Sequence, residues 1–207
     1  MRSGRRRGAR TSQKVRALLA AGVVVGLGAA STLAAWTDQE NASASLTAGT
    51  FGIVGSVDGA TFTEHPTSAP AQLAFSVPAN GLVPGSVVYA RFAVRTTNGS
   101  AAGVARLAAD PANVPGDGSG LGGFLTYGVS RVTGTTCDLT AFNAGTVIVP
   151  RGSALTASPA AGTTQALAAN GGSPVTYCFE VTLPTTTSNN AQGRSAAPRW
   201  TVNAENS

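Results

Sequence analysis

Few residues in this chain have the chemistry for catalysis, and their spacing assembles no site. His65 is the sole histidine, and it precedes Pro66 in a turn-rich stretch. A zinc hydrolase needs paired histidines with a glutamate, as in His-Glu-x-x-His, and no such run occurs. A Ser-His-Asp triad would have to use His65, and no Gly-x-Ser-x-Gly elbow presents a serine. Beyond residue 34 there is no lysine, which removes a Ser-Lys dyad. Asp38 and Glu40 are two carboxylates two positions apart, the raw material of a glycosidase pair, yet they sit in a polar arm just after an apolar run. The expectation is that the chain is not an enzyme and holds no cofactor or metal. Cys137 and Cys178 are the only cysteines. In an exported chain they are most economically read as one disulfide. A redox pair usually has its cysteines close in sequence, and a metal site needs more ligands. Closing that loop stabilises by about 4 kcal/mol in the chain-entropy account.

Export follows from the amino-terminal residues. Residues 1–16 carry Arg2, Arg5, Arg6, Arg7, Arg10, Lys14 and Arg16, and residues 17–35 carry no charge. A basic region, an apolar region and a small-residue exit are the three parts of a secretory signal. Cleavage is expected between Ala34 and Ala35, with Thr32 and Ala34 filling the small pockets of a signal peptidase. The alternative is a retained anchor, since the apolar run approaches the ~20 residues that span a bilayer. The expected organisation is a signal peptide over 1–34, removed, and one domain over 35–207. The membrane is then engaged only through the signal, and the product is secreted, extracellular or bound to the cell wall.

Charge has to be read without that leader. Seven of the 14 basic residues lie in 1–34, and seven arginines face nine acids in the remainder. The basic pI near 10.0 therefore belongs to the signal. Nucleic-acid binding, which needs clustered cations to displace counterions, is not expected.

From residue 35 onward the chain is rich in Gly, Ala, Thr, Ser and Val and punctuated by turn formers. This predicts short strands joined by turns. Strands are expected at 48–54, 72–77, 87–96, 104–109, 124–132, 146–149, 175–183 and 198–204. Pro84 and Gly85 suit the centre of a type II turn. Within 87–96, Val88, Ala90, Phe92 and Val94 share one face, and Tyr89, Arg91 and Arg95 the other. Asn98-Gly99 predicts a turn that brings 104–109 alongside as partner strand. Pro150 ends the 146–149 strand, and a short helix is possible near 160–169. In 175–183 the apolar residues alternate away from Cys178 and Glu180, so a disulfide would tie the sheet's outer surface to the 133–145 loop. Such a set of strands implies an all-β, single-domain antiparallel β-sandwich of jelly-roll type.

Several motifs carry a resemblance. Ala35-Trp36-Thr37-Asp38 follows the apolar run, and Thr47-Ala48-Gly49-Thr50-Phe51 comes soon after. The Leu82-Val83-Pro84-Gly85-Ser86 turn, the 87–95 strand, the stretch from Asn98 to Ala105 and a closing strand complete the pattern. Over residues 30–109, and loosely 175–204, the chain resembles the TasA/camelysin family, exported through a SipW-type signal peptidase, with actinobacterial alternative-signal exported proteins as near look-alikes. The resemblance implies a jelly roll at the cell surface, and in some members biofilm-matrix fibres built by lending an N-terminal strand to a neighbour. The chain departs from that family in its two cysteines and near absence of lysine. Camelysin-like members have also been called metalloproteases, which the missing zinc motif disfavours.

Three functional expectations follow. The first is an exported surface or matrix structural protein, a homo-oligomer or fibre subunit in which 36–54 adds to another subunit's sheet edge. Leu46, Phe51 and Ile53 would fill pockets in that exchange. Alternatively, the same segment pairs within its own domain. The second is a monomeric adhesin or wall-binding module that uses loops 110–123 and 185–196. The third, least favoured, is a protease.

Overall fold

The computed structural model describes residues 13–22, 38–78 and 81–207. The expected cleavage site at Ala34 and Ala35, and Trp36 beside it, lie outside the described residues. The chain divides into two compact units, Met1–Leu46 and Thr47–Ser207. In the first, residues 13–22 are helical and exposed, and 38–46 form no regular structure. Among the described residues no helix is long and apolar enough to cross a membrane.

The second unit is built from two antiparallel sheets packed together, with little helix. Its elements are β1 (Ile53–Ser56), β2 (Val87–Thr96), β3 (Gly103–Ala109), β4 (Thr126–Val132), α1 (Leu139–Ala144), β5 (Thr146–Ala154), β6 (Gln165–Leu167), β7 (Val175–Thr182) and β8 (Trp200–Asn206). Five strands form one sheet in the order β1-β2-β7-β4-β5, and three form the other in the order β6-β3-β8.

Alternation explains the layering. Along β2, Val88, Ala90 and Val94 are buried, and along β7, Val175, Tyr177, Phe179 and Val181 are. Val88, Val94 and these β7 side chains meet Ala105, Leu107 and Ala109 of β3 in one core. Trp200 of β8 closes it, its ring 4.9 Å from Phe179 and 5.6 Å from Tyr127. β7 lies at the centre, hydrogen-bonded on one edge to β2 and on the other to β4. It is buried on both faces, as a central strand with cover on each side must be.

Several expectations hold in detail. The 87–96 strand has the expected bounds. The turn before it closes with the Ser86 amide donating to Val83 O at 2.8 Å, and Gly85 takes φ +94°, as the third residue of a type II turn requires.

Others are corrected. Asn98-Gly99 does turn the chain, but β3 joins the other sheet and pairs with β6 and β8 rather than with β2. The two-residue hairpin that would pair them is a type I′ turn, with positive φ at both central residues. Here Gly99 has φ +77° and Asn98 does not share it, so the turn does not carry the hairpin twist. Residues 72–77 form no strand. The Phe75 amide donates to Leu73 O and the Val77 amide to Phe75 O, so these groups are used in tight local turns instead of a ladder. Leu73 and Phe75 still reach the core. The expected helix near 160–169 is replaced by β6, whose Gln165 and Leu167 are buried. The loop before β5 contains α1, capped by Asp138, whose carboxylate accepts from the Ala141 amide at 2.8 Å.

Pro150 does not end β5. Val149 pairs with Val129 and Ser153 with Tyr127, so residues 150–152 bulge opposite Gly128. β5 is an edge strand, where proline and a bulge are both tolerated. The first strand starts later than expected, at Ile53.

Gly103 shows how tightly β3 is enclosed. A Cβ there would lie 2.3 Å from Glu205 O and 2.6 Å from the Phe51 ring. Gly103→Ala should therefore lower unfolding free energy in urea by about 1–3 kcal/mol. Gly116→Ala, where an added Cβ meets nothing within 4 Å, should change it little; equal midpoints for the two variants would contradict this packing.

Candidate functional site

Three features of the fold bear on function. The first is the outer face of the five-stranded sheet, where the two cysteines meet. Cys178 lies on β7 opposite Phe179 and Tyr177, and it is bonded to Cys137 with a Cα–Cα distance of 5.3 Å across 41 residues. The disulfide holds the start of α1 against the sheet, in a small cluster of Val132, Phe142 and Cys178 flanked by Tyr89 and Ala141.

Two residues along β7, Glu180 is also buried. Its carboxylate accepts from Tyr89 Oη at 2.7 Å and from Arg151 Nε at 2.7 and 2.9 Å. The Arg151 guanidinium rests over the Phe142 ring at 4.5 Å. Gly128 stands opposite Glu180 on β4, and a Cβ there would crowd Phe142 and the Arg151 backbone at 3.1 Å. The β5 bulge is what brings Arg151 over this glycine. A buried carboxylate that loses its only cation costs about 3–5 kcal/mol, and the 41% exposure of the Arg151 side chain places this pair toward the lower end. By contrast Arg106–Glu205, 47% and 63% exposed, is worth about 0–1 kcal/mol. Chemically the Glu180 carboxylate is already engaged: both of its oxygens accept from groups of the fold itself. Sequence reasoning placed Glu180 on the outer face but missed Arg151, because a bulge carries no period-two signal.

The second feature is the amino-terminal segment singled out for strand exchange. Its three candidate residues are separated. Leu46 is 94% exposed, and residues 38–49 form neither strand nor helix. Phe51 lies against Gly103, and Ile53 opens β1, paired with Thr96 and packed on the core. The Gly52 amide donates to Ser100 Oγ at 2.9 Å, and the Thr97 amide to Gly52 O. Residues 50–56 are thus engaged by the chain's own fold.

β1 is short for a local reason. After Ser56 the chain turns away: Asp58 accepts from Ser56 Oγ, the Ala60 amide and the Thr61 amide, at 2.7 to 2.8 Å. Those donors, Ser56 Oγ foremost, hold the Asp58 carboxyl well below the usual range. Gly59 supplies the positive φ of +72°. As a result β1 pairs only with Ala93–Thr96 of the ten-residue β2. On that side, Val87–Phe92 face no strand among the described residues.

The third feature joins the two loops named for adhesion. The Leu121 amide donates to Ser195 O at 2.8 Å. Arg194 donates to Gly118 O and Gly120 O, and lies over the Phe124 ring at 5.3 Å. Loops 110–123 and 185–196 therefore form one surface.

His65 is not gathered with other catalytic groups: its Nε2 lies 3.3 Å from Thr63 Oγ1 and its ring 6.2 Å from Phe92. Asp38 and Glu40 are exposed. Among the described residues no cluster of three His, Cys, Asp or Glu is arranged to hold a metal ion. No protein-family model and no curated protein matches this chain.

All three tyrosines of the chain share one perturbation. Burial pushes Tyr89, Tyr127 and Tyr177 up to about 12, and Tyr89's hydrogen bond to Glu180 adds to it. A phenol whose folded value exceeds its unfolded value stabilises below the unfolded value, near 10, and that stabilisation is lost as pH rises toward 12. Absorbance at 295 nm should stay flat through pH 10 and rise together with loss of the near-ultraviolet circular dichroism signal. A tyrosine ionising near pH 10 in the folded chain would contradict the burial.

Proposed function

We propose that this chain is an exported cell-surface or matrix structural protein that assembles by β-strand addition. The observation that carries the reading is the unequal length of β1 and β2: Val87–Phe92 of β2 extend beyond their neighbour. Unpaired strand edges bind extended segments through main-chain hydrogen bonds. The segment 38–49 is exposed and without regular structure, so a second copy can supply the missing strand while 50–56 remain in place. Val87, 45% exposed at the start of that edge, offers an apolar contact to an incoming residue such as Leu46.

The resemblance to the TasA/camelysin family supports the same reading, since it implies export through a SipW-type peptidase, a jelly-roll arrangement of the two sheets and strand lending. The narrower export proposal is cleavage between Ala34 and Ala35. A second reading, a monomeric adhesin or wall-binding module, is favoured by the union of loops 110–123 and 185–196. No catalytic role is proposed for either.

Sedimentation of chain recovered from culture medium tests the proposal. The chain should form oligomers that grow with concentration, and removal of residues 38–49 should leave a folded monomer. Val87→Lys, which places a charge on the edge, should abolish the same species without unfolding. An intact chain that remains monomeric at all concentrations would overturn assembly and leave the adhesin reading. Protein whose first residues are those of 1–16 would overturn the cleavage.

A further inference from the structure

A cavity of about 370 Å³ opens on the outer face of the five-stranded sheet, where Ala93 of β2, Thr176 of β7 and Val132 of β4 lie side by side. We propose that it binds an anionic sugar unit, with the charge carried by a carboxylate or a phosphate. This site is separate from the β2 edge and does not depend on strand addition.

Charge gives the first argument. Arg91, paired with Cys178 on the outer face, lines the cavity, and no carboxylate does among the described residues. Arg131 also borders it, but it pairs with Tyr177 and so directs its side chain to the opposite face. The two ion pairs found among the described residues are Arg106–Glu205 and Arg151–Glu180, so Arg91 is not neutralised by an acid within 4 Å. Arg91 is held in place by neutral acceptors: its Nε donates to Val57 O at 3.3 Å and its Nη1 to Thr135 O. Carbonyls orient a guanidinium without cancelling its charge, and the planar fork suits carboxylate and phosphate. Gly59 makes room for it, since a Cβ there would lie 3.2 Å from Arg91 Nη1. The nearby Asp58 carboxylate is already taken up by its own turn.

The remaining lining indicates what carries the anion. Thr176 is 6% exposed, and it lines the cavity with Ser173 and two further threonines. Hydroxyls that donate and accept match the hydroxyls of a sugar. Val132 and Pro174 provide aliphatic contact, but no aromatic ring among the described residues lines the cavity. A neutral sugar would find no ring on which to stack, so the ionic contact must supply most of the affinity. That ranks charged sugars above neutral ones.

Calorimetric titration of the full chain tests this with D-glucuronate, glucose 6-phosphate, inorganic phosphate and D-glucose. Glucuronate, glucose 6-phosphate or both should bind saturably, more weakly at high salt, and glucose should not. Binding of one charged sugar alone identifies the carboxylate or the phosphate as its source. Arg91→Gln should weaken binding by about tenfold or more, the effect of losing one charge-assisted hydrogen bond. Arg106→Gln, on the other sheet, should not. In nitrogen-15 spectra of the unaltered chain the Ser173 and Thr176 amides should shift with ligand, a readout that survives any folding defect in a variant. Failure of every charged probe, glucose binding as well as glucuronate, or inorganic phosphate matching glucose 6-phosphate would each overturn the proposal.

Discussion

The position of β7 governs the molecule. It is hydrogen-bonded along both edges and covered on both faces, so each of its residues answers to a different neighbour. Tyr177 and Phe179 supply the core between the sheets, where Trp200 meets them. Cys178 and Glu180, pointing the other way, cannot remain as bare polar groups under α1. The disulfide and the Tyr89–Glu180–Arg151 cluster are what make that second face tolerable. A half-buried sheet strand needs one apolar face, and a doubly covered one needs its polar residues matched.

That constraint separates what the sequence makes legible from what it hides. β2 and β7 alternate at period two over their whole length, so their bounds and faces could be read directly. The Pro84-Gly85 turn was equally plain because a positive φ leaves few residue choices. What could not be read was pairing. Nothing local tells Gly103–Ala109 to leave β2 for the other sheet; the answer lies in the backbone of Asn98, which the dipeptide does not specify. Pro150 misled for a related reason, because a bulge on an edge strand neutralises the usual penalty. Arg151 was hidden with it. The cavity's Arg91 was visible as a residue, yet its surroundings depend on the register that sets Ala93 beside Thr176 and Val132.

The same fold leaves one sheet edge unfinished. Asp58 and Gly59 draw the chain away after four residues of β1, while β2 runs on toward Val87. Edges are commonly blunted by charge, proline or cover. Here the arginines of β2 point from the outer face, and the carboxylates of the exposed arm, Asp38 and Glu40, belong to the segment best placed in sequence to complete another copy. Surface assembly and the anion cavity would then use different parts of one strand: the backbone edge for pairing, and the Arg91 side chain for ligand.

Hydrogen exchange at β2 tests the account most directly. At low concentration the Val87–Phe92 amides that face away from β7 should exchange quickly, while those that face β7 stay protected. At concentrations where the chain associates, the first set should become protected without change in the second. Equal protection of both sets in the dilute monomer, or continued fast exchange of the outward set in the assembled protein, would contradict strand addition at this edge.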